Sequence, residues 1–229
     1  MTITTTALTR AAGLSAVAAG VLFVGVQIKH PILDATFATT TEYVVREGVK
    51  IAMAALALIG ITGMYLRQTK QMGILGLVGY LLFGAGYLIL MSVEIIGTMV
   101  LPTVAKGSPA YVNDVLTAAS GGKAVGDIGL LQPWLMVSGL TYLAGGLIFG
   151  IALFRANILA RWAAALLSVS AVATMAIPFL PGVNQRLFAI PNGIALIGLG
   201  WSLFREQRSS TVAPASSPAD AHLDRVVAP

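Results

Sequence analysis

The sequence predicts an all-α membrane protein, a polytopic transmembrane bundle of about six helices, and three observations lead to this fold class. Hydrophobic residues make up 57% of the 229 residues and charged residues only 10%, whereas soluble globular chains carry about 25% charged residues. Several apolar stretches are long enough to cross a bilayer. The 14 basic residues are scattered, so the net charge of +5 forms no patch for nucleic acid.

The predicted spans follow one another along the chain. A span needs about 20 apolar residues, and six such stretches lie at 11–28, 44–66, 73–101, 132–154, 162–180 and 187–204. The first stretch has Arg10 before its apolar run, as a signal peptide would. No small-x-small cleavage site follows it, so we expect a retained helix.

Basic residues near the ends of the spans predict the orientation. The loops 67–70 and 155–161 hold basic residues and no acid, and a further basic segment, 205–208, follows the last span. These segments and Arg10 fall on one side of the membrane if all six stretches cross it. By the positive-inside rule this side is cytoplasmic, which predicts a multi-pass cell-membrane protein with both termini in the cytoplasm.

The chain outside the spans is short. Residues 1–10 are expected to form a cytoplasmic segment that precedes a single transmembrane domain over 11–208. Residues 209–229 are rich in Ser, Ala and Pro and lack apolar periodicity. This composition predicts a disordered cytoplasmic tail.

The long loop after the third span predicts a helix of its own near 109–120. Ser108 suits the N-cap, Pro109 suits the first helical position, and two glycines at 121–122 follow the run. Apolar side chains recur at helical spacing at Val112, Val115, Leu116 and Ala119. We expect an amphipathic helix in the outer interface of the membrane, which is either a lid over a site or a well-packed connection.

The start of the second span carries an unusual group of charges. Glu42 and Arg46 are four residues apart, and Glu47 and Lys50 are three apart, so both pairs can meet on a helix surface. The simplest interpretation is two salt bridges at the mouth of a helix. Glu47 lies deeper than Glu42, and for Glu47 a functional and a purely structural role remain equally open.

Glu94 is the most informative residue of the chain. It lies seven residues before the end of the third span, about 10 Å below the surface at about 1.5 Å per residue, and no basic residue lies within one turn. A charge near the bilayer centre costs about 2.5–3.5 kcal/mol, so the carboxyl is expected to be protonated or paired with another helix. Glu47 lies at a similar depth, and Lys50 could reach between the two carboxyls.

Other polar and aromatic side chains occur at comparable depth. They are Tyr87, Met91, Gln132, Trp134, Ser138, Tyr142 and Asn192. Together with Lys50 they are candidates to bind a substrate, although Trp134 could be an interfacial aromatic and Asn192 a helix-start residue. The chain has no Cys and only two His, His30 in a turn and His222 in the tail. We therefore expect no metal ion and no cofactor.

Four segments resemble small multi-span membrane proteins of actinobacteria. They are 10–16 (RAAGLSA), 26–31 (VQIKHP), 60–65 (GITGMY) and 154–164 (FRANILARWAA). That family includes membrane-bound terpene cyclases of the drimentine type, which cyclise a farnesyl chain on an indole diketopiperazine. The resemblance implies terpenoid biosynthesis in secondary metabolism, a prenylated indole alkaloid as product, and intramembrane carboxyls as acids.

The leading hypothesis is therefore a class II-type terpene cyclase. Glu94 or Glu47 would protonate the prenyl chain of a lipophilic substrate, and aromatic side chains would stabilise the cation. The alternative is a non-enzymatic protein that binds membrane lipid or supports a partner protein. A proton-coupled small transporter is the third possibility, but no pair of broken helices indicates it.

Overall fold

A computed structural model gives the fold of residues 4–28, 30–176 and 189–212. Within these residues the secondary structure is helical and no strand occurs. The helices are α1 Thr5–Gly25, α2 Ala35–Ala38, α3 Thr41–Arg67, α4 Thr69–Met99, α5 Leu101–Val104, α6 Pro109–Ala119, α7 Leu131–Ala156, α8 Arg161–Ala176 and α9 Ala189–Val212. The prediction of an all-α protein is confirmed.

Four of these helices, α1, α3, α4 and α7, are long and apolar enough to cross a membrane. The apolar part of α8, Arg161–Ala173, is shorter than a span. The predicted stretches 162–180 and 187–204 both extend into residues 177–188, which lie outside the described part of the chain. The structure thus supports a membrane protein with four candidate spans, and the count of six stays a prediction.

The six long helices pack in a closed ring in the order α1, α3, α4, α7, α8, α9 and back to α1. Two of the contacts bring backbones together through glycine. A Cβ added to Gly145 of α7 would lie 2.2 Å from the Phe83 nitrogen of α4, and one added to Gly20 of α1 would lie 2.4 Å from the Gly193 oxygen of α9. Small residues of this kind allow close approach where lipid leaves no hydrophobic driving force between helices.

The short helices α2, α5 and α6 cover one end of the ring. Their apolar residues form a core cluster with the start of α3, which includes Ala38, Tyr43, Leu101 and Ile128. Helix α6 occupies the position at which the sequence predicts a helix, and Val112, Val115 and Leu116 are buried as expected. Ala119 is exposed and Ala118 is buried instead, because the helix is rotated slightly relative to the predicted apolar face.

The opposite end of the ring gathers the basic residues. Arg67 of α3 forms an ion pair with Glu206 of α9, the Arg10 guanidinium lies 4.8 Å from the Phe204 ring centre, and that of Arg161 lies 4.1 Å from the Phe154 ring centre. The residues that predict a cytoplasmic side therefore lie together, and their side of the membrane stays a prediction.

Helix α9 includes residues 209–212, the first four residues of the predicted disordered tail. Residues 213–229, with His222, lie outside the described part of the chain, so the prediction for the remaining tail is untested.

Candidate functional site

Glu47, Lys50 and Glu94 meet at the end of the ring that α6 covers. The Lys50 Nζ lies 2.7 Å from the Glu47 Oε1 and 3.6 Å from the Glu94 Oε2. Lysine therefore bridges the two carboxyls, as the depth of these residues in adjacent helices predicts. The exposed fraction is only 5% for Glu47 and 8% for Glu94, so water screens this group weakly.

Local helix geometry positions these side chains. Thr40 caps α3, because its hydroxyl accepts a hydrogen bond of 3.2 Å from the Tyr43 nitrogen. Glu47 and Lys50 follow one turn apart on the inward face of α3. Glu94 lies in the penultimate turn of α4, which packs against α3. The antiparallel pair thus brings the start of one helix and the end of the other to the same level.

The two carboxyls are also electrostatic neighbours of each other. A hydrogen bond between them would require a proton on one, because two carboxylates are both acceptors. His30 adds an electrostatic interaction with Glu47. From the sequence, we did not expect His30 to take part in a site. Its position before Pro31, in the connection after α1, gives no pattern that would predict such a role.

A cavity of about 510 Å³ adjoins the three charged residues. One wall consists of α3 and α4 and carries all the charged groups of the described lining. The rest of the described lining is mostly apolar, with Leu33, Val115, Leu116, Leu131 and Leu135, and it includes the polar residues Gln27 and Ser120. The cavity can therefore hold an apolar chain and present carboxyls to it.

Helix α6 is fastened over this cavity by two polar residues. Asn113 Oδ1 accepts a hydrogen bond of 2.7 Å from the Ala35 nitrogen. The Asp114 carboxylate accepts bonds of 2.8 Å and 3.0 Å from the nitrogens of Val125 and Gly126. The apolar face of α6 meanwhile lines the cavity through Val115 and Leu116. This arrangement is compatible with both the lid and the connector interpretation.

Most of the other candidate residues do not line the cavity. Trp134 is 44% exposed, and its indole nitrogen donates a hydrogen bond of 2.9 Å to the Ser92 hydroxyl. Gln132 and Met91 are partly buried and Ser138 is buried, all outside the described lining. None of these side chains belongs to the described lining that contains Glu94.

Three candidates form a separate cluster deeper in the ring. Asn192 donates a hydrogen bond from its amide to the Tyr142 hydroxyl, and the rings of Tyr142 and Tyr87 meet edge to face with centres 5.3 Å apart. Tyr87 lies seven residues before Glu94 on α4, about 10 Å further along the helix axis at about 1.5 Å per residue. These three residues lie outside the described lining of the cavity, and their role in binding a substrate stays a prediction.

Several lining residues were missed by sequence reasoning, and two of them lie close to the carboxyls. Tyr43 is 1% exposed and borders the cavity, and Gly97 borders it from α4. Tyr43 precedes Glu47 by four residues, and Gly97 follows Glu94 by three, so helical spacing puts each on the face of its carboxyl. That spacing was the available signal.

Glu42 and Arg46 form the predicted surface pair, with the Arg46 Nε 2.8 Å from the Glu42 Oε1. The Glu42 side chain is 59% exposed and lies outside the cavity lining. The described residues contain no group of three or more His, Asp or Glu side chains arranged to hold a metal ion. No family model, no curated protein and no solved structure matches this chain.

Proposed function

We propose that the protein is an integral-membrane terpene cyclase of the class II type, which starts cyclisation of a prenyl chain by donating a proton from the Glu47–Glu94 pair. The observation that carries this proposal is the buried carboxyl pair, bridged by Lys50, on one wall of an otherwise largely apolar cavity. The resemblance to drimentine-type cyclases points to a farnesyl chain on an indole diketopiperazine as the substrate class.

Acid strength is the main chemical requirement. A carboxyl in apolar surroundings is a poor donor to an alkene, because the carboxylate that it leaves is not stabilised. Lys50 lies within 3.6 Å of both carboxyls and can stabilise the anion on either one. A preorganised cation of this kind lowers the energy of the charge that develops during proton transfer.

The cavity suits a lipophilic substrate. Its volume of about 510 Å³ falls within the range of about 300–1,000 Å³ that is usual for small-molecule sites. The apolar part of the lining offers contact to an extended prenyl chain, and α6 shields it from outside. Membrane lipid is the medium from which such a substrate would reach the site.

The aromatic side chain that borders the cavity is not one of those that the sequence suggested for stabilising the carbocation. Trp134, Tyr87 and Tyr142 are not on the described lining, whereas Tyr43 is. In this proposal the developing carbocation is therefore stabilised by the carboxylate left behind and by the Tyr43 ring. Cyclisation transfers the proton to carbon, closes rings and loses a proton at the end, so product and substrate are isomers.

The alternative is a non-enzymatic lipid-binding or partner-supporting membrane protein. One observation favours it: Lys50 and its two carboxyls satisfy one another within the protein, so the group could act only to hold α3 and α4 together. The cavity would then receive a lipid chain without reaction.

The test is direct assay of the reaction. Membranes with the wild type are supplied with a prenylated indole diketopiperazine, and products are identified by NMR together with mass spectrometry, since cyclisation does not change mass. Wild type is expected to cyclise the substrate, and Glu94→Gln and Glu47→Gln to lose at least most of this activity. Glu42→Gln is the matched control because Glu42 lies on the same helix outside the cavity.

Two outcomes count against the cyclase. Unchanged rates in both cavity variants would show that the carboxyls are structural. If the wild type binds the substrate and cyclises none of a panel of prenyl compounds, the binding protein becomes the better explanation.

A further inference from the structure

We infer that the shared proton of this site resides on Glu94 and that Glu47 is held as the carboxylate. Glu94 is then the acid that protonates the substrate, and this second statement rests on the proposed cyclase function. Both residues are acids at similar depth, but only Glu47 has a base, Lys50, within one turn of its own helix. The structure adds the groups that surround each carboxyl in space.

The contacts of Lys50 are unequal. Its ammonium group lies at hydrogen-bond distance, 2.7 Å, from Glu47, and at 3.6 Å from Glu94. A charge-assisted hydrogen bond at the shorter distance stabilises an ionised carboxylate more strongly than the longer contact. The ionised partner of the pair is therefore Glu47.

Among the remaining groups around the pair, His30 acts in the same direction, and Tyr43 adjoins both carboxyls. His30 interacts electrostatically with Glu47. A Cβ placed on Gly97 would lie 3.5 Å from the Glu47 Oε2 and 3.3 Å from the Tyr43 hydroxyl oxygen, so both groups converge on the same small space above Gly97. Glu94 has Glu47 and Lys50 as its electrostatic neighbours, and Tyr43 interacts with both carboxyls.

Charge balance gives the pair one proton. Two carboxylates with one ammonium group would leave a net negative charge in a buried site, and burying unbalanced charge is costly. One proton on the pair makes the group of Glu47, Lys50 and Glu94 neutral. The same proton also removes the repulsion between two like charges at neighbouring carboxyls.

The chemical step follows from this assignment. The O–H bond of Glu94 breaks, a C–H bond forms at the terminal alkene, and the π electrons of that alkene are used in the new bond. The positive charge passes to the adjacent carbon, which a second alkene of the same chain attacks to close a ring. The new Glu94 carboxylate lies beside Lys50, which stabilises it, and a final C–H deprotonation returns one proton.

Infrared spectroscopy tests where the proton resides without any assay of activity. The purified wild type in lipid nanodiscs is expected to show a carbonyl stretch from a protonated carboxyl that shifts on transfer to D₂O. Glu94→Asp replaces the side chain that carries this group, so the band should move. Glu47→Asp changes only a neighbour of the protonated group and should move the band much less, and Glu42→Asp is the control for an acid outside the cavity.

A band that moves more with Glu47→Asp than with Glu94→Asp would overturn the assignment, and so would a wild type with no protonated carboxyl. Either result is independent of whether any prenyl compound is cyclised. If the band follows Glu94 but no substrate reacts, the proton assignment holds and the proposed function fails.

The pH dependence of two single variants tests the role in catalysis and leaves Lys50 in place. In Glu47→Gln, Lys50 is free to pair with Glu94 and ionise it, so activity at neutral pH should fall. Lowering the pH returns the proton to Glu94, and cyclisation by this variant should recover at least about tenfold. Glu94→Gln should stay at least about 100-fold below wild type at every pH. Recovery at low pH in Glu94→Gln alone would identify Glu47 as the donor instead.

Discussion

The two ends of the ring both contain an ion pair between long helices, but only one end combines it with a site. At the α6 end, Glu47, Lys50 and Glu94 border the cavity of about 510 Å³. At the opposite end, Arg67 pairs with Glu206, and the side chains are 34% and 24% exposed. A groove of about 740 Å³ between α1 and α3 also borders Arg67, but its described lining contains no carboxyl.

This difference shows how to separate structural from functional charges in a membrane bundle. A pair that joins two helices and is partly exposed needs no explanation beyond packing and orientation. Two acids that share one base beside an apolar cavity are costly for stability, so a functional role is the better explanation. The following predictions test this contrast between the two ends.

Thiol labelling of single Cys variants should show that the two ends of the ring lie on opposite sides of the membrane. The chain has no native Cys, so single Cys variants can be labelled with an impermeant thiol reagent on intact cells. Ser120→Cys, in an exposed position at the α6 end, should react from outside, whereas Lys70→Cys should react only after permeabilisation. Lys70 serves better than the neighbouring Gln68, which is fully buried. Labelling of Lys70→Cys on intact cells would reverse the predicted orientation.

Removing the basic residue of the ion pair should lower the free energy of unfolding more at the α6 end than at the opposite end. Lys50→Met leaves two buried carboxyls without their base, and loss of one partner from a buried pair costs about 3–5 kcal/mol. Arg67→Met breaks a partly exposed pair, and solvent screening should limit the loss to about 1 kcal/mol or less. Denaturant unfolding of both variants in the same detergent measures the difference. Equal losses at the two ends would remove the energetic basis of the comparison.

Charges placed on the inner face of α6 should impair the site. Val115 and Leu116 are buried and line the cavity, so Val115→Asp and Leu116→Asp introduce an unpaired charge there. We expect ligand binding or turnover to fall about tenfold or more, since about 1.4 kcal/mol already corresponds to a factor of ten.

Thr117→Asp is the matched control for this test, because Thr117 is exposed on the same helix. Thermal unfolding shows whether the bundle remains folded. If the folded variants retain full binding and turnover, α6 is a connector and not a lid.

A single methyl group at Gly97 should have the smallest of these effects. The added Cβ would approach the Tyr43 hydroxyl to 3.3 Å and the Glu47 Oε2 to 3.5 Å. Gly97→Ala is therefore expected to reduce turnover several-fold with little change in the free energy of unfolding. Gly84→Ala on the same helix meets no atom within 4 Å and should leave turnover unchanged. Equal turnover in both variants would show that the space above Gly97 has no role in the site.

Helical periodicity was sufficient for much of the fold. It predicts long apolar helices at the positions of α1, α3, α4 and α7, the separate α6, and the Glu42–Arg46 and Glu47–Lys50 pairs. It did not predict α2 or α5, because each has only one turn and too few residues for a periodic signal.

The candidate site was predicted only in part. Glu47, Glu94 and Lys50 do meet, because antiparallel neighbours of known length bring their ends to the same level. Trp134 and Tyr142 were assigned to the same site on depth alone. Depth along a helix follows from counting residues, whereas the direction of a side chain around the axis depends on which neighbour the helix packs against.

The sequence by itself predicted that this protein is helical, that it has apolar stretches long enough to cross a membrane, and that Glu47 pairs with Lys50 on the same helix. Only the tertiary structure decided which faces of these helices meet. Closure of the ring through close glycine contacts such as Gly145 against Phe83 sets the rotation of α7, which turns Trp134 outwards. Contacts between helices join residues far apart in the chain, so no local pattern encodes them, and such a contact brings Glu94 to 3.6 Å from Lys50.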